Sequence, residues 1–252
     1  MLALTFLLTP DKTAVIAVDI GEANPLTSVV LRDGKITSPK FLAKEVRAIR
    51  TLYARIRKMI GRKKVKHGRQ VIKRMGSVEQ RKVTDILHKA TREIVEQAKQ
   101  LREEGYDVII AYGDIKGVRK PRIKGKTRCR KNNRKVHTMP SFKVKHMLTY
   151  KALWEAILCV GINEAYTTKQ CHKCGSMNTI VRKRLFKCLD CGLEYNRDLN
   201  ASINIGNRLS GYMLDSRGSG GPPLTSPVSI IQKGNFLVVR QAREEAPSLV
   251  AE

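Results

Sequence analysis

Residues 164–205, EAYTTKQCHKCGSMNTIVRKRLFKCLDCGLEYNRDLNASINI, hold two Cys-x-x-Cys knuckles, Cys171/Cys174 and Cys188/Cys191, with thirteen residues between them. A gap of that length fits the return of a β-hairpin, which brings four thiolates together as a tetrahedral zinc site. Four thiolates close the coordination sphere, so the zinc expected here is structural and not catalytic. Gly175 and Gly192 end the knuckles, where a tight turn must aim backbone amides at sulfur. The alternative reading is a disulfide pair or unrelated core thiols, over which the specific spacing favours zinc. Seven residues past the last of these cysteines stands Asp198, within Asn196-Arg197-Asp198-Leu199-Asn200 at the start of an apolar helix. A carboxylate at that point is positioned by a rigid element, as a catalytic acid must be. Asp is equally suited to cap the helix, and the local pattern leaves both roles open.

The 252 residues carry 49 Lys and Arg against 22 Asp and Glu, a formal charge of +27 at pH 7. Such an excess implies a polyanionic partner, nucleic acid first. There is room for one large domain and a small module. No apolar run reaches the length of a membrane span, so no membrane partner is expected. The opening MLALTFLLTP lacks a basic n-region and a small-residue cleavage site, and reads as a strand or a ragged start. Metal-type cysteine spacing, with Cys129 and Cys159 left over, points to a reducing compartment, and with the basic charge a cytoplasmic, nucleoid-associated location in a prokaryote is expected.

Upstream, TAVIAVDI (13–20) reads as a buried strand with Asp19 near its C-terminal end. Thr27–Leu31 and Ile36–Ser38 follow as strands around the turn Arg32-Asp33-Gly34-Lys35. Leu42, Val46, Ile49, Tyr53, Ile56 and Ile60 form one heptad seam, and Val83, Leu87, Ala90, Ile94, Ala98 and Leu101 a second. Together they predict an antiparallel helical hairpin over about 40–105, with the glycine-punctuated stretch 61–76 as a basic turn or mobile loop. Lys58, Arg62, Lys63 and Lys64 on that first arm and loop are candidate phosphate contacts.

YDVIIAY (106–112) reads as a second buried strand ending in Gly113-Asp114-Ile115, so Asp114 stands where another sheet carboxylate could lie. Residues 115–154 contain no acid, and 116–138 form a basic loop. Its Lys116, Arg119, Lys120, Arg122, Arg128, Arg130, Lys131 and Arg134 are expected to order on a nucleic-acid backbone. Residues 141–158 predict an amphipathic helix with Trp154 in the core, and 160–166 a short strand. The Gly/Ser/Pro-rich stretch 210–228 reads as a linker within a flexible tail, 210–252, in which Ile230–Val239 could form a strand.

Three stretches together, VIAVDIG (15–21), IIAYGDIKG (109–117) and AYTTKQCHKCG…FKCLDCGLEYNRDLNASINI (165–205), resemble the TnpB/OrfB proteins of insertion sequences, RuvC-like relatives of type V CRISPR nucleases. The resemblance covers roughly 13–209 and rests most on the third stretch, with Tyr150-Lys151-Ala152 in agreement. It implies an α/β, RuvC-like (ribonuclease H-type) mixed sheet with a helical-hairpin insertion. The first part of that core would span 1–165, a four-cysteine zinc ribbon 166–195 and the last helix 196–209. It also implies metal-dependent cleavage of DNA, two Mg ions held by carboxylates, and a guide RNA as further partner. Asp19 matches the family's first acid and Asp198 its third, with Arg197 as a further nucleic-acid contact. The family's second acid is the Glu of a Glu-Asp-Leu tripeptide, which here reads Gly113-Asp114-Ile115. Asp114 could serve only if the strand has ended or bulges there, since neighbouring strand residues face opposite ways. The resemblance also expects a recognition portion before residue 13, so the chain would be a truncated derivative or would work with a separate chain or another transposition protein. A cleavage-deficient nucleic-acid-binding derivative, and a basic zinc-ribbon scaffold in a nucleoprotein complex, are the competing readings.

Overall fold

A computed structural model describes residues 12–63, 66–114, 139–215, 228–233 and 236–241. Strand β1 (Thr13–Asp19) is buried from Ala14 onward, because both faces of the sheet are covered. Its near-continuous apolar run reflects that. β2 (Leu26–Arg32) pairs antiparallel with β1, and β3 (Lys35–Leu42) antiparallel with β2. Asp33 and Gly34 between them take φ of 50° and 68°, the doubly left-handed turn that suits a two-residue hairpin. β4 (Asp107–Asp114) and β5 (Leu158–Asn163) then continue the sheet parallel to β1.

The hairpin of helices is present as α1 (Glu45–Arg62) and α2 (Gly68–Glu103). The loop expected over 61–76 is corrected: α2 starts at Gly68 and runs through Gly76. A helical glycine costs about 1 kcal/mol relative to alanine. One such cost is small beside the buried Val83, Leu87, Ile94 and Leu101 of the same helix, each of which contributes about 1.5–3 kcal/mol.

Alternation along the strands sorts the core into two layers. Ala14, Ile16, Val18, Ile110 and Tyr112 face α2 and α3 (Ser141–Trp154). Val15, Ala17, Ile109, Ala111, Val160 and Ile162 face α4 (Arg197–Asp215), which returns Leu199, Ile203, Ile205 and Leu209. On α3 only Val144, Met147, Leu148 and Ala152 are apolar and buried. Trp154, expected in the core, is 80 % exposed and meets Tyr150 edge-on at 5.0 Å between ring centroids.

The ribbon is a separate three-stranded sheet, β6 (Thr179–Arg182), β7 (Leu185–Cys188) and β8 (Glu194–Asn196). The linker expected from 210 begins later, and the single strand expected at Ile230–Val239 is two strands. α4 continues to Asp215, and β9 (Val228–Lys233) with β10 (Phe236–Gln241) forms an antiparallel hairpin, β10 pairing parallel with β5. The large sheet therefore runs β3-β2-β1-β4-β5-β10-β9. Local composition carries no sign of this pairing, because a strand added at an open edge is decided by its partner.

Candidate functional site

β1, β4 and β5 run parallel, so their C-terminal ends open on one side of the sheet, where ligands bind in open α/β folds. Asp19 ends β1 there and is 8 % exposed. Asp198 arrives from the first turn of α4 and is 5 % exposed. The helix cap is not Asp198: the Asn196 side chain accepts from the amides of Asp198 at 2.9 Å and Leu199 at 3.3 Å. Relieved of capping, the Asp198 carboxylate takes Nδ2 of Asn24 on Oδ2 at 2.7 Å and the Arg197 guanidinium on Oδ1 at 2.9 Å. Asn24 itself is held by its backbone, whose carbonyl accepts from the Gly21 amide at 3.1 Å.

A third carboxylate, not foreseen, joins this end of the sheet. Glu164 follows directly on β5 and lies against Gly113. Burial pushes the Asp19 carboxyl up to about 8, with Glu164 and then Asp198 adding repulsion and Arg197 opposing it. Burial likewise lifts Glu164 to about 7 against the pull of Lys145, with Asp114 adding to the rise. Asn24 is 2 % exposed, and its Oδ1 has no partner among the described residues.

Asp114 does not take the place expected of it. β4 holds its register to the end, with Asp114 opposite Asn163 and no bulge. Alternation then turns Asp114 to the α3 face, where Lys145 donates to its Oδ1 at 2.6 Å.

Asp19 and Asp198 are buried and Glu164 is half-buried, and such carboxylate oxygens suit Mg or Mn, which favour oxygen ligands. Among the described residues the thiolates alone form a compact group of possible metal ligands, with donor atoms within 4.8 Å of one another.

The thiolates of Cys171, Cys174, Cys188 and Cys191 form the compact group, with 3.6 Å between Cys171 and Cys191 and between Cys174 and Cys188. Thiolates about 2.3 Å from a tetrahedral zinc lie about 3.8 Å from each other, so the group can hold a metal. Gly175 and Gly192 have φ of 74° and 71°. Amides of Ser176, Asp190 and Cys191 point at sulfur, as the knuckle reading expects. Two asparagines one turn apart on α4 tie the ribbon to the sheet. Asn200 and Asn204 both donate to the carbonyls of Thr167 and Gln170, and Asn200 Oδ1 accepts from the His172 amide.

Lys58, Arg62 and Lys63 are exposed at the end of α1. Lys64 and the basic residues Lys116, Arg119, Lys120, Arg122, Arg128, Arg130, Lys131 and Arg134 lie outside the described residues. Arg197 is engaged with Asp198. A basic groove that the sequence did not reveal runs between α1 and the ribbon. Its volume is about 430 Å³, it is lined by Lys44, Arg47, Arg55 and Arg184, and Asn24 stands in its wall. No helix among the described residues is long and apolar enough to cross a membrane.

Residues 142–205 match the family model "Cas12f1-like, TNB domain". A TnpB-like protein of Methanocaldococcus jannaschii is 26 % identical over 195 residues, 76 % of this chain and 67 % of that one. A CRISPR-associated endodeoxyribonuclease Cas12f2 of a Micrarchaeota archaeon is 24 % identical over 212 residues, 79 % of this chain and 37 % of that one. In structure, the chain resembles the Cas12f1 of a complex with sgRNA and target DNA, with a TM-score of 0.54 at 17 % identity, over 79 % of this chain and 51 % of that one. The likeness is one of fold, a mixed α/β sheet with flanking helices, and the chain spans between about a third and two thirds of these three proteins.

Proposed function

Because the chain belongs to a TnpB/Cas12f-related family, we propose that it binds DNA with a guide RNA and cuts the DNA by metal-dependent hydrolysis, in association with transposition. The observation that carries the cleavage reading is the meeting of Asp19 and Asp198 at one end of the sheet, with Asn24 fixing the second of them at 2.7 Å. Asp19 and Asp198 would hold magnesium, which when bound supplies a Lewis acid for water and for the leaving oxygen. Asn24 keeps Asp198 turned toward Asp19, and Arg197 sets the other oxygen of the same carboxylate. Lys44, Arg47, Arg55 and Arg184 would carry a phosphate backbone toward that point. The four cysteines would hold zinc as a brace, which through Asn200 and Asn204 keeps α4 in place.

The binding-only reading draws on Gly113 in β4 and on the Lys145-bound Asp114. One assay separates the two. Protein purified with any bound RNA is incubated with Mg or Mn and single- or double-stranded DNA, beside an Asp19→Ala variant. Products that need metal and vanish in the variant support cleavage. Retained DNA without products from either protein supports binding alone.

A further inference from the structure

We propose that Glu164 is a third metal-holding carboxylate of this centre, supplied from the end of β5 across Gly113. The inference rests on the nuclease reading above and deepens it.

β4 and β5 are paired in parallel with Gly113 opposite Ile162 and Asp114 opposite Asn163, so Glu164 is the first residue past the ladder. Ile109 and Ala111 of β4 face α4, as Val15 and Ala17 of β1 do. Position 113 and Asp19 therefore share that face. Gly113 places no side chain on it. The room is taken by Glu164: a Cβ built on Gly113 would lie 2.5 Å from Glu164 Oε2 and 3.5 Å from its Cβ. A side chain on β4 at this point would need the Glu164 carboxylate to move aside. The glycine is thus the gap through which the neighbouring strand's acid enters, and Asp114 is kept out of it by its ion pair with Lys145 at 2.6 Å.

Acids gathered at a sheet end need not bind anything, but one buried polar atom here lacks a partner among the described residues. The Asn24 Oδ1, in a residue 2 % exposed, is unsatisfied while its Nδ2 holds Asp198. Buried polar groups are nearly always paired, and a water on a cation held by the neighbouring acids would serve it.

The test is binding of Mn²⁺ to the full, zinc-loaded chain, read from the loss of the free-ion electron paramagnetic resonance signal. Glu164→Gln and, separately, Asp19→Asn are expected to weaken binding about tenfold or more. The double change Gly113→Glu with Glu164→Ala should recover it, because removing the Glu164 side chain clears the room beside position 113. Wild-type affinity in Glu164→Gln, with loss in Asp19→Asn, would overturn the role of Glu164 and leave the nuclease reading intact. No Mn²⁺ binding by the unaltered chain, or binding indifferent to Asp19→Asn, would overturn both.

Discussion

Asn24 donates to Asp198 at 2.7 Å across 174 residues of chain. That bond joins the loop after β1 to the first turn of α4, and it orients one of the two acids on which cleavage is proposed to depend. Asn24→Ala removes the donor without touching either carboxylate. Cleavage under single-turnover conditions should slow about 10–100-fold, the usual effect of losing a partner of a metal ligand. DNA affinity should be unchanged.

The metal-free protein should lose stability as pH rises. Asp19 stands near 8 when folded, against 3.8 ordinarily, and Glu164 near 7 against 4.5. Across the window from about 4 to about 8 the folded chain holds protons that the unfolded chain has released. Stability contributed by those protons is complete at the acid end and gone once pH passes the folded values. Thermal unfolding in a chelator, followed from pH 5 to 8.5, should show a falling Tm. Asp19→Asn should flatten the curve, and added Mg should restore the alkaline arm.

Cys171→Ser should lose zinc, as measured by elemental analysis, and should expose 166–196 to limited proteolysis. The loss should reach cleavage as well, since Asn200 and Asn204 grip the ribbon's lead-in from the helix that carries Asp198. The large sheet has its own core on both faces and should keep its far-ultraviolet circular dichroism. Zinc content equal to wild type would remove the metal assignment.

DNA affinity should fall steeply with salt, because neutralised phosphates release counterions. Arg47→Ala, Arg55→Ala and Arg184→Ala each take a cation from the groove beside Asn24. Each should lower the slope of log affinity against log salt by about 1, with little dependence on DNA sequence. Slopes unchanged in all three would show that the strand does not follow this groove.

Much of the fold is legible from local pattern. The buried run of β1, the Asp33-Gly34 turn and the two helical seams each carry their signal within a few residues, and each forms where expected. The α2 start escapes such a reading because Gly68 and Gly76 look like punctuation, whereas tertiary packing of the seam outweighs them. Trp154 is misplaced by it because composition does not say which side of α3 meets the sheet. Of the site, Asp19 and Asp198 can be read from their places at a strand end and a helix start. Asn24 and Glu164 cannot, since neither sits in a motif.

The sequence alone determined the thiolate cluster, the two outer acids and the basic character of the chain. Each depends on spacing or composition, which the covalent chain preserves whatever the fold. Only the tertiary structure decided which carboxylate stands beside Asp19. Asp114 ends β4 and Glu164 follows the neighbouring β5, with α3 between them in the chain. The pairing of Asp114 with Asn163 sends one acid to Lys145 and leaves the other over Gly113. A shift of that pairing by one residue would reverse every face, so the answer lies in long-range register and not in any local stretch.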